Sequence, residues 1–212
     1  GNHSRTGGAI ANQEDGILSV INSTFRGNDG YYQAGAINND GSGGAYVEGS
    51  IFLENTSDLP DNMSMGGMGA AISSQSDMEI INNVFEDHDI NGTSGVIAVF
   101  SLANVTIQGC VFTGNHAFSH GTIIKNFGNT SVINSTISDN LSIYGNLWTI
   151  YNTGSISISY STIMDNISES PAVNSENSNI LIANSIIAKN SGGDCDSSVM
   201  LNVEGNNLDS DG

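Results

Sequence analysis

One short pattern recurs along the chain: β-branched residues, then Asn or Gly, a small residue, an apolar plug, and Asn three positions beyond the plug. The copies run Val20 to Asn28, Val47 to Asn55, Ile80 to His88, Ile107 to Asn115, Val132 to Asn140, Ile158 to Asn166 and Ile182 to Asn190. They start roughly 24 to 33 residues apart, the period of a solenoid. A unit this short cannot bury an apolar face alone, so successive units must stack.

Aligned, the copies form columns. Val20, Val47, Ile80, Ile107, Val132, Ile158 and Ile182 precede the turn, with Leu18, Ala45, Met78, Val105, Thr130, Ile156 and Ile180 two residues earlier. Polar residues such as Ser19, Glu79 and Thr106 alternate with them, which predicts a strand buried on one face. The turn column holds Asn22, Gly49, Asn82, Gly109, Asn134, Tyr160 and Asn184. Asn and Gly reach positive φ most readily, so a left-handed kink is expected in every copy but the one with Tyr160.

Past the kink come the small residues Ser23, Ser50, Asn83, Cys110, Ser135, Ser161 and Ser185. The plugs Phe25, Phe52, Phe85, Phe112, Ile137, Ile163 and Ile187 follow. Asn28, Asn55, Asn115, Asn140, Asn166 and Asn190, with His88 in the third place, are expected to hydrogen-bond along the axis as a ladder. A third strand recurs at Gly8-Ala-Ile-Ala-Asn12, Gly35-Ala-Ile-Asn-Asn39, Gly69-Ala-Ala-Ile-Ser73, Gly95-Val-Ile-Ala-Val99 and Gly121-Thr-Ile-Ile-Lys125, and more loosely at Trp148–Tyr151 and Ala172-Val173.

The expected fold is therefore all-β: a single-domain right-handed parallel β-helix of seven to eight coils, with three short strands per coil. It occupies 1–193, with a lateral loop near 57–66 and an irregular closing segment over 194–212. The rod should be about 35 to 40 Å long.

The composition narrows the partners. Acidic residues number 22 against 4 basic ones, a net charge of −18. That surface repels nucleic acid and anionic lipid and favours solubility and weak cation binding. No run apolar enough to cross a membrane, signal peptide or lipidation motif is present, so direct membrane insertion is not expected. The two cysteines, Cys110 and Cys195, fall three coils apart, about 14 Å, beyond the reach of a disulfide. Cys110 reads as a small buried thiol. The chain opens at Gly1 in what reads as the end of a coil, like a piece of a longer β-helix. Uncapped strand edges at such ends predict self-association or contact with neighbouring envelope proteins.

The chain resembles right-handed β-helix repeats of adhesin-like surface proteins. Polymorphic outer-membrane proteins pair Gly-Gly-Ala-Ile with Phe-x-x-Asn, matched here by Gly7–Ile10 and by Phe25–Asn28, Phe52–Asn55 and Phe112–Asn115. The tail Ile186–Cys195, followed by Gly205–Gly212, resembles the closing segment of secreted β-helix proteins. The resemblance implies an extracellular or cell-surface location and leaves Cys195 unassigned.

Polysaccharide lyases and glycoside hydrolases share this fold, so an enzyme is a rival reading. The acidic position before the ladder reads Gly27, Glu54, Asp87, Gly114, Asp139, Asp165 and Lys189. Asp139 and Asp165 should lie one coil apart, a weak Ca²⁺ site or a carboxylate pair, and no other cofactor is expected. Arg5, Arg26, Lys125 and Lys189 are scattered, and no nucleophile triad or phosphate loop is visible. His116 and His120 flank a turn with no third metal ligand nearby in sequence. Sequons occur at Asn2, Asn22, Asn55, Asn62, Asn91, Asn104, Asn129, Asn134, Asn140 and Asn166, which are glycosylation candidates. Tyr31, Tyr32, Tyr46, Phe100, Phe127, Tyr144, Trp148, Tyr151 and Tyr160 are candidates for a sugar-stacking platform. The function expected is a non-catalytic surface β-helix, adhesin-like or a self-assembling unit of an envelope layer, sheath or fibre. The rivals are a polysaccharide-processing enzyme and a glycan-binding module, the latter favoured by an aromatic row on one face.

Overall fold

The column of β-branched residues becomes a stack of strands in matched register: Val20 pairs with Val47, Val47 with Ile80, Ile80 with Ile107, Ile107 with Val132, Val132 with Ile158 and Ile158 with Ile182. Every inter-strand ladder is parallel, so each coil hydrogen-bonds the next along the axis. The computed structural model describes residues 1–57, 69–90, 95–117, 122–142, 148–175, 178–196 and 201–210. It is a parallel β-solenoid of about seven turns with three strands per coil, and the described residues contain no helix.

The first sheet runs from Leu18–Ile21 through Asn104–Gln108 to Asn179–Ala183 and Leu201–Glu204. The second runs from Thr24–Arg26 to Ile186–Ala188 and Leu208–Asp209. The third runs from Ile10–Asn12 to Val173–Ser175. A shorter three-stranded sheet joins Asp89–Ile90, His116–Ala117 and Leu141–Ser142. The closing segment, expected to be irregular, carries an eighth strand of the first sheet and of the second. The lateral loop expected near 57–66 lies outside the described residues from 58 on.

Between the sheets runs an apolar core. Ile37, Ile72, Ile97, Ile124, Ile150 and Val173 line it from the third sheet. The plugs Phe25, Phe52, Phe85 and Phe112 stack face to face, with ring centroids 4.8, 4.8 and 4.7 Å apart. That spacing is the inter-strand distance, so the rings stack because the coils do. Ile137, Ile163 and Ile187 continue the column.

Two left-handed columns turn the chain. Between the first and second sheets, Asn22, Gly49, Asn82, Gly109, Asn134, Asn184 and Gly205 have φ between 48° and 71°. Alternating Asn with Gly leaves room for the Asn side chains: a Cβ on Gly49 would lie 2.5 Å from Asn22 Oδ1. Tyr160, the expected exception, takes the same conformation at φ 53°. Its coil is held between two others that kink correctly, and their pairing imposes the turn on it. The position before the ladder is left-handed too, in Gly27, Glu54, Asp87, Gly114, Asp139, Asp165 and Lys189.

The Asn ladder forms as expected, and it has a direction. Asn140 Oδ1 accepts the Asn115 backbone N–H at 3.1 Å and Asn115 Nδ2 at 2.8 Å. Asn140 Nδ2 donates to Asn166 Oδ1 at 2.8 Å and to the Phe112 carbonyl at 3.1 Å. Asn28, Asn166 and Asn190 repeat the scheme, and Asn55 gives its Nδ2 back to the Phe25 carbonyl, the next rung being His88; all four are buried. The last rung hands its donors to Asp194, whose Oδ1 accepts Asn190 N and Nδ2 at 3.1 and 2.8 Å. Its Oδ2 accepts Ser210 N and Oγ at 3.0 and 2.6 Å. A parallel ladder runs through the small column, where Cys110 N donates to Ser135 Oγ and Ser135 N to Ser161 Oγ.

Tyr160 pays the left-handed strain without an amide or hydrogen to relieve it, and its ring is 65% exposed, so little packing is lost on replacement. Tyr160→Asn is expected to raise the unfolding free energy by about 1 kcal/mol in a urea titration, and Tyr160→Val to lower it.

Candidate functional site

The acids before the ladder lie along one turn column. Asp139 and Asp165 sit one coil apart, as their register neighbours Ser138 and Met164 dictate, and both are exposed. What the column shares is a backbone conformation that Gly, Asp and Glu all serve. Lys189 follows Asp165 in the same column, since Ile163 pairs with Ile187, and puts a cation of the chain beside the pair. Glu54 is taken by Arg26 through two hydrogen bonds of 3.0 and 2.9 Å, both at the surface. Among the described residues no three or more His, Cys, Asp or Glu come within metal-binding reach.

The histidines are dispersed. His3 Nδ1 lies 2.6 Å from Asp29 and His116 Nδ1 3.7 Å from Asp89, all at or near the surface. His120 lies outside the described residues. His88 replaces Asn in the ladder and is fully buried. Its Nδ1 accepts the Asn55 N–H at 2.9 Å, while its own N–H donates to Asn115 Oδ1 at 3.1 Å. Nε2 has no hydrogen-bond partner among the described residues. Burial drives its pKa down to about 3, because an imidazolium there would lose its water. Cys110, buried among the hydroxyl rungs, has its thiol pushed up to about 11 by the same desolvation. Cys195 packs at the end of the core beside Val173.

A different corner brings chemistry together. Where the third sheet turns into the first, Phe100, Phe127 and Tyr151 fall in successive coils, with ring centroids 6.1 and 6.4 Å apart. Trp148 stacks on Tyr151 at 5.0 Å. Lys125 Nζ lies 5.4 Å from the Phe127 ring and 5.9 Å from that of Tyr151, and partial burial lowers its pKa. On the other side of the turn, the first sheet carries an open groove of about 330 Å³. Its outward rows are Asn104, Asn129, Ser155 and Asn179, and Thr106, Ser131, Ser157 and Leu181. None of the described residues that line it is charged. Asn104 Nδ2 donates to Asp77 at 2.8 Å, Asn129 Nδ2 to Asn104 at 3.1 Å, and Ser157 Oγ to Ser131 at 3.1 Å. Of the other aromatics, Tyr31 and Tyr32 pair near the first coil, Tyr46 and Tyr160 stand apart from this row, and Tyr144 lies outside the described residues.

The sequons divide by burial. Asn55, Asn140 and Asn166 are ladder rungs with committed amides and cannot carry a glycan in the folded chain. Asn2, Asn22, Asn104, Asn129 and Asn134 are exposed, and Asn62 and Asn91 lie outside the described residues.

No protein-family model and no curated protein matches this sequence. The likeness to surface-protein repeats therefore rests on the Gly-Gly-Ala-Ile and Phe-x-x-Asn motifs alone.

His88 and Asp194 make the ladder acid-sensitive. A folded pKa near 3 against an ordinary 6.5 means the unfolded chain takes up a proton that the folded one refuses, so stability present above pH 6.5 drains away below it. Burial pulls the Asp194 pKa up, but donors from Ser210 and Asn190 outweigh it and hold it below the ordinary 3.8, adding a loss at still lower pH. His88→Asn is expected to restore a full rung and to gain about 2 kcal/mol at pH 5 beyond any difference at pH 7.5. Urea titrations at the two values check it; an unchanged pH profile would contradict the buried neutral imidazole.

Proposed function

We propose that this chain is a non-catalytic, adhesin-like β-helix of the cell surface that binds an extended, uncharged glycan along the corner between its third and first sheets. The observation that carries the reading is the aromatic row Phe100–Phe127–Tyr151, with Trp148, beside a groove of amides and hydroxyls in the same coils. Aromatic faces bury the apolar faces of sugar rings, while amides and hydroxyls match their hydroxyl groups. Each coil repeats the polar set about 4.8 Å further along the axis, which suits a repeating polymer rather than a single small molecule. The uncharged groove and the net charge of −18 both disfavour an acidic polysaccharide. Surface location is supported by the repeat motifs and the acidic composition.

A second reading, a self-assembling envelope unit, draws on the outer face of the second sheet, where Ile51, Val111, Ile186 and Leu208 are exposed in one column. Ordered filaments or sheets in electron micrographs at rising protein concentration would favour it.

Binding to soluble neutral polysaccharides should retard the chain in affinity electrophoresis, with little retardation by polygalacturonate or alginate. Trp148→Ala and Tyr151→Ala should each weaken that binding about tenfold, roughly 1.4 kcal/mol. No new reducing or unsaturated ends should appear on prolonged incubation. Their appearance would establish an enzyme, and indifference to every neutral polysaccharide would overturn the glycan reading.

A further inference from the structure

The outer face of the third sheet is unusual. On a strand with one face in the core, the alternate residues should be solvated, yet Asn38 and Ser73 are both 0% exposed. They point away from the core, because Ile37 and Ile72 fill it and Asn39 donates to Ser74 on the inner side. Asn38 and Ser73 are register partners on adjacent strands, so their side chains lie side by side. Asp40 joins them: its Oδ2 accepts Asn38 Nδ2 at 2.7 Å. Three oxygens of this patch, Asn38 Oδ1, Asp40 Oδ1 and Ser73 Oγ, are buried without a hydrogen-bond partner among the described residues. Folded proteins rarely leave such atoms unmet, and a cluster of them calls for a bound species.

The donor set identifies the species. An amide carbonyl, a carboxylate and a hydroxyl are all hard oxygen ligands, with no nitrogen or sulfur among them, which is the preference of Ca²⁺. The carboxylate distinguishes a cation from a neutral hydrogen-bond donor, since it alone carries a charge to be met. We propose that Asn38, Asp40 and Ser73 form a Ca²⁺ site on the outer face of the third sheet, completed by water or backbone carbonyls. With one carboxylate the affinity should be modest, a Kd on the order of millimolar. A surface of net charge −18 raises the local cation concentration. The site stands independently of the glycan reading, although the turn position of Asp40 is the one that Phe100 and Phe127 occupy in later coils: Asp40 N, Phe100 N and Phe127 N each bond the carbonyl of the preceding coil's last third-sheet residue, Asn12, Ser74 or Val99.

The test compares CaCl₂ with MgCl₂ and with NaCl of equal ionic strength, using wild type, Asp40→Asn and the double variant Asp139→Asn/Asp165→Asn. Near 10 mM CaCl₂ should raise the wild-type Tm by about 3 °C, and MgCl₂ or NaCl by less. Asp40→Asn should abolish the calcium shift, and the double variant should keep it. Backbone and side-chain NMR shifts of the wild type during the CaCl₂ titration serve as a readout if Asp40→Asn does not fold, and should centre on Asn38, Asp40 and Ser73. A wild type indifferent to calcium, a shift retained in Asp40→Asn, or perturbations centred on Asp139 and Asp165 would each overturn the proposal.

Discussion

A stacked coil must turn its backbone at sharp corners, and where a corner is buried its polar groups need partners from the coil above or below. Asparagine meets that requirement because one short side chain carries an acceptor and a donor. Asn140 accepts two bonds from the preceding rung and gives bonds both to the following rung and back to the Phe112 carbonyl. The Asn rungs on either side of His88 point the same way, so within each run the amide dipoles align and polarise one another. Asp194 ends the line with a carboxylate, which has acceptors for the last donors and nothing to pass on.

Much else follows from that register. Rungs one coil apart place Phe25, Phe52, Phe85 and Phe112 in a stack. They also hold Tyr160 in a conformation its side chain does not favour. With the interior fixed by the ladders, outward positions are free to vary from coil to coil. The aromatic row, the uncharged groove and the oxygen patch arise on that variable layer, each from residues that the repeat does not specify.

The same division decides what could be read in the sequence. The parallel β-helix, the plug column and the Asn ladder were legible because they repeat in register. The column of Asp87, Asp139 and Asp165 is a left-handed turn, a backbone feature that the recurring Gly27 and Gly114 signal and the charges do not. A third ladder, Asn12 to Asn39 to Ser74 and Asn126 to Asn152 to Ser175, escaped notice because Val99 breaks it in the middle. The strands of the closing segment were hidden because Asp209 stands where every other copy has an apolar plug, although Val203, Gly205 and Asn207 keep their columns. Burial of Asn38 and Ser73 on the outer face was invisible to period-two reasoning, which assigns such positions to solvent.

The central claim is that the axial ladder, rather than the surface pairing of strands alone, holds the coils together. Amide hydrogen exchange tests it most directly. The N–H groups of Asn55, Asn115, Asn140 and Asn166 sit at corners, outside regular strands, and each donates to the rung below. If the ladder is the structural spine, these amides should exchange as slowly as those of the core strand residues Ile80 and Ile107. Exchange at the rate of an exposed turn residue such as Leu102 would mean that the rungs open freely and that the account is wrong.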